Sequence, residues 1–294
     1  MVEVLPVFRS TKGKDEYLAA YQAVLRRWPL PYEDRFIATR FGLTHVIVSG
    51  RVDGSPVVLL HPSGAGAAIW YPNAGPLGDR FRTFAVDIVG EPNRSTLTRS
   101  IETKNQCNEF SRWIEDLLGG LGVGRADFVG NSFGGFLALN TAIHLPGAVR
   151  KVVVISPAAS FVRIPRWSWH FLPAMTLGWI TGWDSLSLRP LEWIWQGFPI
   201  DDDLSRLRRL TVTAGRPRHG PPRVFHKSEL RRIRAPVLLL IGEQEVIYDP
   251  ERVVGRARRV IRDLETAIVP RGNHNAQYTA SEFVNRRILE FLDK

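Results

Sequence analysis

The sequence predicts an α/β fold in which helices flank a mostly parallel central sheet. Short apolar runs rich in β-branched residues, such as those at 57–60 and 237–241, alternate with longer segments of helical periodicity, such as 133–144. Runs of this kind are typical of strands that are buried on both faces of a parallel sheet. The chain has 294 residues, so we expect one large domain with an insertion, or two domains.

The predicted elements follow one another in a regular order. A helix is expected at 14–28, where apolar residues have helical spacing and a proline-containing segment follows. Two strands around a glycine turn come next, at 35–42 and 44–50. The remaining strands are expected at 57–60, 84–89, 127–129, 152–155, 237–241 and 265–270, and the remaining helices at 101–118, 133–144, 250–262 and 276–292. Right-handed βα crossovers are the natural connections.

The alternation of strands and helices is interrupted between about Ala158 and Arg234. Six of the nine tryptophans fall in this interval, together with many Pro and Arg residues. They are Trp167, Trp169, Trp179, Trp183, Trp193 and Trp195. We therefore predict a core domain made of residues 1–158 and 234–294, and a largely helical insertion made of residues 159–233.

The positive charge is concentrated in one part of the chain. The formal net charge is +10, and residues 159–234 contain 13 Lys or Arg against 6 Asp or Glu. No nucleic-acid-binding motif accompanies this excess, so a solvated basic face is the favoured interpretation, and a site for an anionic substrate or surface is the alternative. We expect no nucleic-acid partner.

The cysteine content and the apolar stretches of the sequence indicate where in the cell the protein is expected to be. The one cysteine, Cys107, can form neither an internal disulfide nor a cysteine-based metal site, and we expect it to be an unreactive packing residue. The first residues lack the apolar core and cleavage site of a secretory signal. The longest strongly apolar stretch, 171–183, is too short to span a hydrocarbon layer of about 30 Å. We expect a cytoplasmic protein without stable membrane insertion.

A glycine-rich turn, GNSFGG at 130–135, joins a predicted strand to a predicted helix. A serine on such a sharp turn needs very small neighbours two positions away on each side, and Gly130 and Gly134 provide them. This geometry exposes the Ser132 Oγ and places the Phe133 N–H at a helix N-terminus, where free donors favour an oxyanion. The pattern indicates a nucleophilic serine; the alternative is a glycine-rich turn with a capping serine.

At this turn the chain resembles the α/β-hydrolase superfamily, and the resemblance covers nearly its whole length. The segments RFGLTHVIVSG (40–50), WYPN (70–73), DIVGEPNRS (87–95) and GNSFGG (130–135) resemble the bacterial carboxylesterase NP (naproxen esterase) group. The resemblance implies an α/β-hydrolase fold and a serine hydrolase. It also implies that residues 159–233 form a cap over the nucleophile.

The resemblance implies a second oxyanion-hole donor in the loop HPSGAG at 61–66. The family commonly has Gly where this chain has Pro62, which has no N–H. Because the family's donor follows that position, Ser63 is the expected donor beside Phe133, and Gly64 is the alternative. We also expect Gly64 to contact substrate.

A serine hydroxyl needs a base to accept its proton and a third group to orient the base. In the order that the resemblance implies, the acid follows the nucleophile and the histidine follows the acid. His274 lies beyond the last predicted strand, in the loop that delivers the base, and its imidazole can be neutral at pH 7. Glu245 stands where relatives usually carry Asp. Asp249 is the competing acid, although its position directly before a predicted helix is typical of an N-cap.

These residues lead to a functional hypothesis with alternatives. We expect cleavage of a carboxylic ester with a hydrophobic acyl or aryl portion, through a Ser132–His274–Glu245 triad and an acyl-enzyme. Four tryptophans of the cap are candidates for the pocket lining, unless they form the core of the cap or an interfacial lid: Trp167, Trp169, Trp179 and Trp183.

The same fold can carry other reactions and partners. The alternative function is another reaction of the same triad, as in a thioesterase, lactonase, carbon–carbon bond hydrolase or biosynthetic cyclase or lyase. A less favoured alternative is a non-catalytic binding protein. The histidines and carboxylates lack metal-ligand spacing, and no glycine motif for a nucleotide is present, so we expect neither a metal nor a cofactor.

Overall fold

The computed structural model describes residues 3–164 and 184–294, and an eight-stranded sheet lies at its centre. The strands are β1 (Tyr32–Thr39), β2 (Gly42–Gly50), β3 (Pro56–Leu60), β4 (Arg82–Val86), β5 (Ala126–Asn131), β6 (Val149–Ile155), β7 (Val237–Gly242) and β8 (Leu264–Val269). The described helices are α1 (Thr11–Leu25), α2 (Tyr71–Gly78), α3 (Gln106–Leu121), α4 (Phe133–His144), α5 (Asp184–Trp195), α6 (Asp202–Thr213), α7 (Lys227–Leu230), α8 (Pro250–Val260), α9 (Ala276–Thr279) and α10 (Ser281–Leu292).

The strands are ordered β1-β2-β4-β3-β5-β6-β7-β8 across the sheet. The pairs β1–β2 and β2–β4 are antiparallel, and every other neighbouring pair is parallel. All residues of β5 and β7 are buried, as expected for central strands covered by helices on both faces. The predicted α/β fold with a mostly parallel sheet is therefore confirmed.

Several predicted element boundaries are wrong. The helix expected at 14–28 spans Thr11–Leu25, and the strand expected at 35–42 spans Tyr32–Thr39. The helix expected at 101–118 begins at Gln106, after a 3-10 turn. The strand expected at 84–89 ends at Val86, and the side chain of the next residue, Asp87, accepts a hydrogen bond of 2.7 Å from the Ala67 N–H. The final helix is two helices, because Ala280 leaves the helical region with φ −139° and ψ 44°.

Helix α2 was not predicted from the sequence. Its residues, YPNAGPLG, include two glycines and two prolines, which have the poorest helix propensities. Four of its residues are buried, and Asn73 Nδ2 donates to Asn285 Oδ1 at 2.6 Å and to the Gln277 carbonyl oxygen at 3.0 Å. Tertiary packing therefore outweighs local propensity in this helix.

The segment between β6 and β7 departs from the alternating pattern. Its described part contains α5, α6 and α7 and contributes none of the eight strands. Trp167, Trp169, Trp179 and Trp183 lie outside the described residues. No helix in the described ranges has the length and apolar character needed to cross a membrane.

The turn between β5 and α4 is possible only with glycine at two positions. A Cβ on Gly130 would lie 2.2 Å from the Gly134 carbonyl oxygen, and a Cβ on Gly134 would lie 2.0 Å from the Leu60 carbonyl oxygen. Both obstacles are backbone atoms, which cannot move without displacing β3 or α4. The close approach places the first turn of α4 against the end of β3, where the loop 61–66 begins.

We expect Gly134→Ala to destabilise the protein strongly, because its Cβ would overlap the backbone of β3. Overpacking of this kind typically costs about 1–3 kcal/mol, or more where backbone must shift. Gly255→Ala is the matched control, since Gly255 is also a helix glycine and a Cβ there meets no atom within 4 Å. Urea unfolding should show a lower midpoint for Gly134→Ala only; equal midpoints would contradict the steric argument.

Candidate active site

Ser132 lies between β5 and α4 in a strained conformation. Its φ is +50° and its ψ is −112°, in a region that non-glycine residues rarely occupy. Its N–H donates to the Ile155 carbonyl at 2.9 Å, and its own carbonyl accepts from the N–H groups of Phe136 at 3.0 Å and Ala158 at 2.9 Å. These bonds to α4 and to the end of β6 hold the turn in place.

His274 reaches Ser132 from the loop after β8. Its Nε2 lies 2.9 Å from the Ser132 Oγ, and His274 as a whole is buried, with 4% of its surface exposed. Asn131, next to the serine, also supports this loop, because its Nδ2 donates to the His274 carbonyl at 3.0 Å and to the Ile155 carbonyl at 3.1 Å. The structure therefore brings the predicted nucleophile and base into hydrogen-bond contact.

Glu245 occupies the other side of the imidazole. Its Oε2 lies 2.8 Å from His274 Nδ1, and its Oε1 accepts the Ile247 N–H at 2.8 Å. With Nδ1 donating to this carboxylate, Nε2 is left to accept the proton of Ser132. The structure thus forms a continuous chain of hydrogen-bond contacts from Glu245 through His274 to Ser132.

The pKa of Glu245 reflects this pairing. Burial by itself would raise the pKa of the carboxyl, but the charge and hydrogen bond of His274 lower it, and the result lies below the ordinary value. A carboxyl whose pKa is lowered on folding stabilises the native state above its unfolded pKa, and that contribution is lost as the pH falls through the folded-state value. The pair therefore favours an ionised Glu245 at neutral pH.

The alternative acid, Asp249, has a different place in the structure. It is exposed and is the N-cap of α8, where its Oδ1 accepts the N–H groups of Glu251 at 3.0 Å and Arg252 at 3.4 Å. The structure brings Glu245, and not Asp249, to the imidazole.

The two predicted oxyanion-hole donors occupy separate turns. Phe133 is the first residue of α4, where a helix has no internal acceptor for the N–H. Ser63 is exposed, and within the described residues its N–H has no hydrogen-bond acceptor. Gly64, the alternative donor, instead donates its N–H to Glu91 Oε2 at 3.0 Å. Of the two candidates in the loop, Ser63 therefore retains the available N–H.

Sequence reasoning missed two residues behind this loop. Glu91 is fully buried in the turn after β4, and it accepts hydrogen bonds from the loop 61–66 and from His219 in the β6–β7 segment. The only signal in the sequence is an acidic residue in the DIVGEPNRS turn. Its partner is 128 positions away, so no local pattern could have identified the pair.

Other contacts tie the β6–β7 segment to the active-site loops. Asn273, the neighbour of His274, donates from Nδ2 to the Trp195 carbonyl at 3.1 Å. Tyr248 accepts the Ala159 N–H on its hydroxyl at 2.6 Å, and Ala159 has a φ of +52°. The loops after β7 and β8 thus hold the segment near its start and near its middle.

Within residues 3–164 and 184–294, no group of three or more His, Cys, Asp or Glu side chains is arranged to hold a metal ion.

Comparison with known proteins identifies similar chains along the whole length. The model of the alpha/beta hydrolase family matches residues 57–287. The chain is 33% identical to carboxylesterase YbfK of Bacillus subtilis (strain 168), over 99% of this chain and 98% of that protein.

Two solved structures from the same organism have the same architecture. The crystal structure of carboxylesterase CesB (YbfK) superimposes with a TM-score of 0.88 at 31% identity, covering 96% of this chain and 99% of the other. Naproxen esterase (carboxylesterase NP) also gives a TM-score of 0.88, at 29% identity, covering 97% and 99%. The predicted similarity to the carboxylesterase NP group is confirmed.

We expect Tyr248→Phe to lower the free energy of unfolding by about 1–3 kcal/mol, because the buried Ala159 N–H would lose its acceptor. Tyr32→Phe is the matched control, since Tyr32 is 38% exposed and its hydroxyl can bond to water. Urea denaturation of both variants measures the difference. A Tyr248→Phe protein as stable as the control would show that the hydroxyl is dispensable.

Proposed function

The chain belongs to the alpha/beta hydrolase family and is a carboxylesterase-like hydrolase; from this premise we propose that it cleaves carboxylic esters with a hydrophobic acyl or aryl portion through Ser132, His274 and Glu245. The observation that carries the proposal is the chain of contacts of 2.8 and 2.9 Å that joins these three side chains. The ester class rests on the carboxylesterase relatives and on the tryptophan-rich segment 159–233.

The first chemical step is acylation of the serine. His274 Nε2 accepts the Ser132 proton while Oγ bonds to the ester carbonyl carbon, and the carbonyl oxygen becomes an oxyanion. The intermediate collapses by breaking the bond to the alcohol oxygen, and the imidazolium returns the proton to that oxygen. Water then attacks the acyl-enzyme with the same base, which releases the carboxylic acid and restores Ser132.

Glu245 orients the base and stabilises its charged form. Its carboxylate accepts the His274 Nδ1–H, which selects the tautomer with a basic Nε2. When the imidazole takes up the serine proton, the adjacent ionised carboxylate balances the new positive charge. The lowered pKa of Glu245 is the counterpart of this interaction.

The oxyanion would be stabilised by the N–H groups of Phe133 and Ser63. The Phe133 N–H is at the N-terminus of α4, where the helix dipole adds positive potential. In the same loop the Gly64 N–H is already bonded to Glu91, so the Ser63 N–H is the candidate for the second donor. Each donor of this kind typically contributes about 100-fold to 1,000-fold in turnover.

We propose that residues 159–233 act as the cap over Ser132. Three contacts support this role: the His219 ring stacks on Phe133, the Trp195 carbonyl bonds to Asn273, and the Ala159 N–H bonds to Tyr248. A cap held this way would exclude water from the acyl-enzyme site and shape the pocket for an apolar acyl or aryl group.

We expect Ser132→Ala to abolish both covalent labelling by a fluorophosphonate and ester hydrolysis, because the covalent route requires the hydroxyl. The activity screen should include acyl esters of increasing chain length, thioesters and lactones, with wild type and variant in parallel. Faster serine-dependent hydrolysis of long-chain or aryl esters supports the proposal. Equal labelling of both proteins, or a preference for thioesters or lactones, would contradict it.

We expect Glu245→Gln to decrease kcat by about 1,000-fold or more, because the glutamine amide no longer fixes the tautomer or balances the imidazolium. Asp249→Asn is the matched control: asparagine is also a good N-cap, so stability and kcat should stay close to wild type. Steady-state kinetics on one ester decides between the two carboxylates. A large decrease in Asp249→Asn with a small one in Glu245→Gln would reverse the assignment.

A further inference from the structure

Glu91 is a buried carboxylate that binds the loop of the proposed oxyanion hole. Its Oε2 accepts the Gly64 N–H at 3.0 Å, and its Oε1 accepts the Ser63 hydroxyl at 2.5 Å. The side chain is fully buried. A buried carboxylate is costly unless it is paired, so its retention here calls for a compensating charge.

His219 of the proposed cap supplies that charge. Its Nε2 lies 2.7 Å from Glu91 Oε1, and its Nδ1 lies 2.9 Å from the Gly220 carbonyl oxygen. Both partners are acceptors, so both ring nitrogens donate and the ring is an imidazolium. Its ring also stacks on Phe133, with centroids 4.5 Å apart and planes 9° from parallel. One cap residue thus touches both turns that carry the proposed oxyanion donors.

The electrostatics of the pair agree with an ionised contact. Burial alone would raise the pKa of Glu91, but His219, the Ser63 hydroxyl and His61 together lower it below the ordinary value. Burial alone would lower the pKa of His219, but Glu91 and the Gly220 carbonyl together raise it above the ordinary value. The other titratable groups acting on Glu91 are His61 and Tyr17. His61 Nε2 lies 3.0 Å from the Ile88 N–H, and its Nδ1 lies 2.8 Å from the Pro62 carbonyl oxygen.

A second cap contact holds the same loop from the other side. Thr211, in α6, donates from its hydroxyl to the Gly64 carbonyl at 2.5 Å. Gly64 has a φ of +77°, and a Cβ there would lie 2.5 Å from Thr211 Cγ2. The N–H and the carbonyl of Gly64 are therefore both bonded, whereas the Ser63 N–H has no acceptor among the described residues.

We propose that Glu91 and its cap partner His219 are positioning residues of the oxyanion hole. Together with Thr211 they fix the backbone of Ser63 and Gly64 so that the Ser63 N–H is available to the developing oxyanion. The cap is then part of the catalytic apparatus as well as the pocket, because displacing it would remove two of the supports of this loop. This inference rests on the proposed function, since it assigns the support of that site's oxyanion hole.

The test compares turnover per active site in Glu91→Gln and His219→Phe. Glutamine keeps the shape of Glu91 but has only one accepting oxygen. It therefore cannot accept hydrogen bonds from the Ser63 hydroxyl, the Gly64 N–H and His219 as the two carboxylate oxygens do. Phenylalanine preserves the stacking on Phe133 but donates no hydrogen bond. We expect kcat to decrease about 10-fold or more in each, with KM changed less than about threefold, because the interaction lost acts mainly in the transition state.

Two features separate positioning from simple damage to the fold. Fluorophosphonate labelling run to completion counts intact active sites, so kcat is expressed per labelled site, which a partly misfolded sample does not alter. Glu109→Gln is the matched control, because Glu109 is also buried and accepts from a cation and a backbone N–H, Arg99 at 2.6 Å and Glu102 at 2.7 Å, outside this loop. Its kcat per site should equal that of wild type.

The outcomes are distinct. If Glu91→Gln fails to fold, Thr211→Val and Ser63→Ala each remove one loop contact and retain the Ser63 N–H, and both should lower kcat per site. Wild-type kcat in the folded variants, or an equal decrease in Glu109→Gln, overturns the inference while Ser132→Ala stays inactive. Hydrolysis that survives in Ser132→Ala instead shows that the proposed function itself is wrong.

Discussion

The close approach of α4 to the end of β3 is the constraint on which the rest of the site depends. With no side chain at Gly134, the helix backbone comes within van der Waals reach of the Leu60 carbonyl, and a Cβ would lie 2.0 Å from it. This contact holds Ser132 at a φ of +50° and sets the loop after β3 beside the helix N-terminus. The strain at one residue is balanced by hydrogen bonds from the neighbouring strand and helix, as is common at functional turns.

The parallel sheet explains how distant residues meet. The carboxyl ends of β3, β5, β7 and β8 lie along one edge, and the loops that follow them carry Ser63, Ser132, Glu245 and His274. In open α/β sheets this edge is the usual place for a ligand site. The β6–β7 segment contacts all four of these loops. The proposed nucleophile, base and oxyanion donors are therefore supported by the sheet domain and by this segment.

Much of the fold was predictable because it follows from local patterns. The helix expected at 133–144 has those limits in the structure, and the buried strands lie within a few residues of their predicted positions. The failures have tertiary causes. Helix α2 forms despite poor propensity because its polar Asn73 is bonded to residues more than 200 positions away. Neither partner is visible in a sequence window.

By itself the sequence determined the alternation of strands and helices, the glycine-flanked Ser132 turn and the N-cap role of Asp249, because each depends on residues a few positions apart. Only the tertiary structure decided that Glu245 faces His274, that Ser63 and not Gly64 keeps an available N–H, and that Glu91 is paired with His219. Those contacts join residues 27 to 128 positions apart. Their geometry arises from strand order and helix packing, which spacing along a chain does not encode.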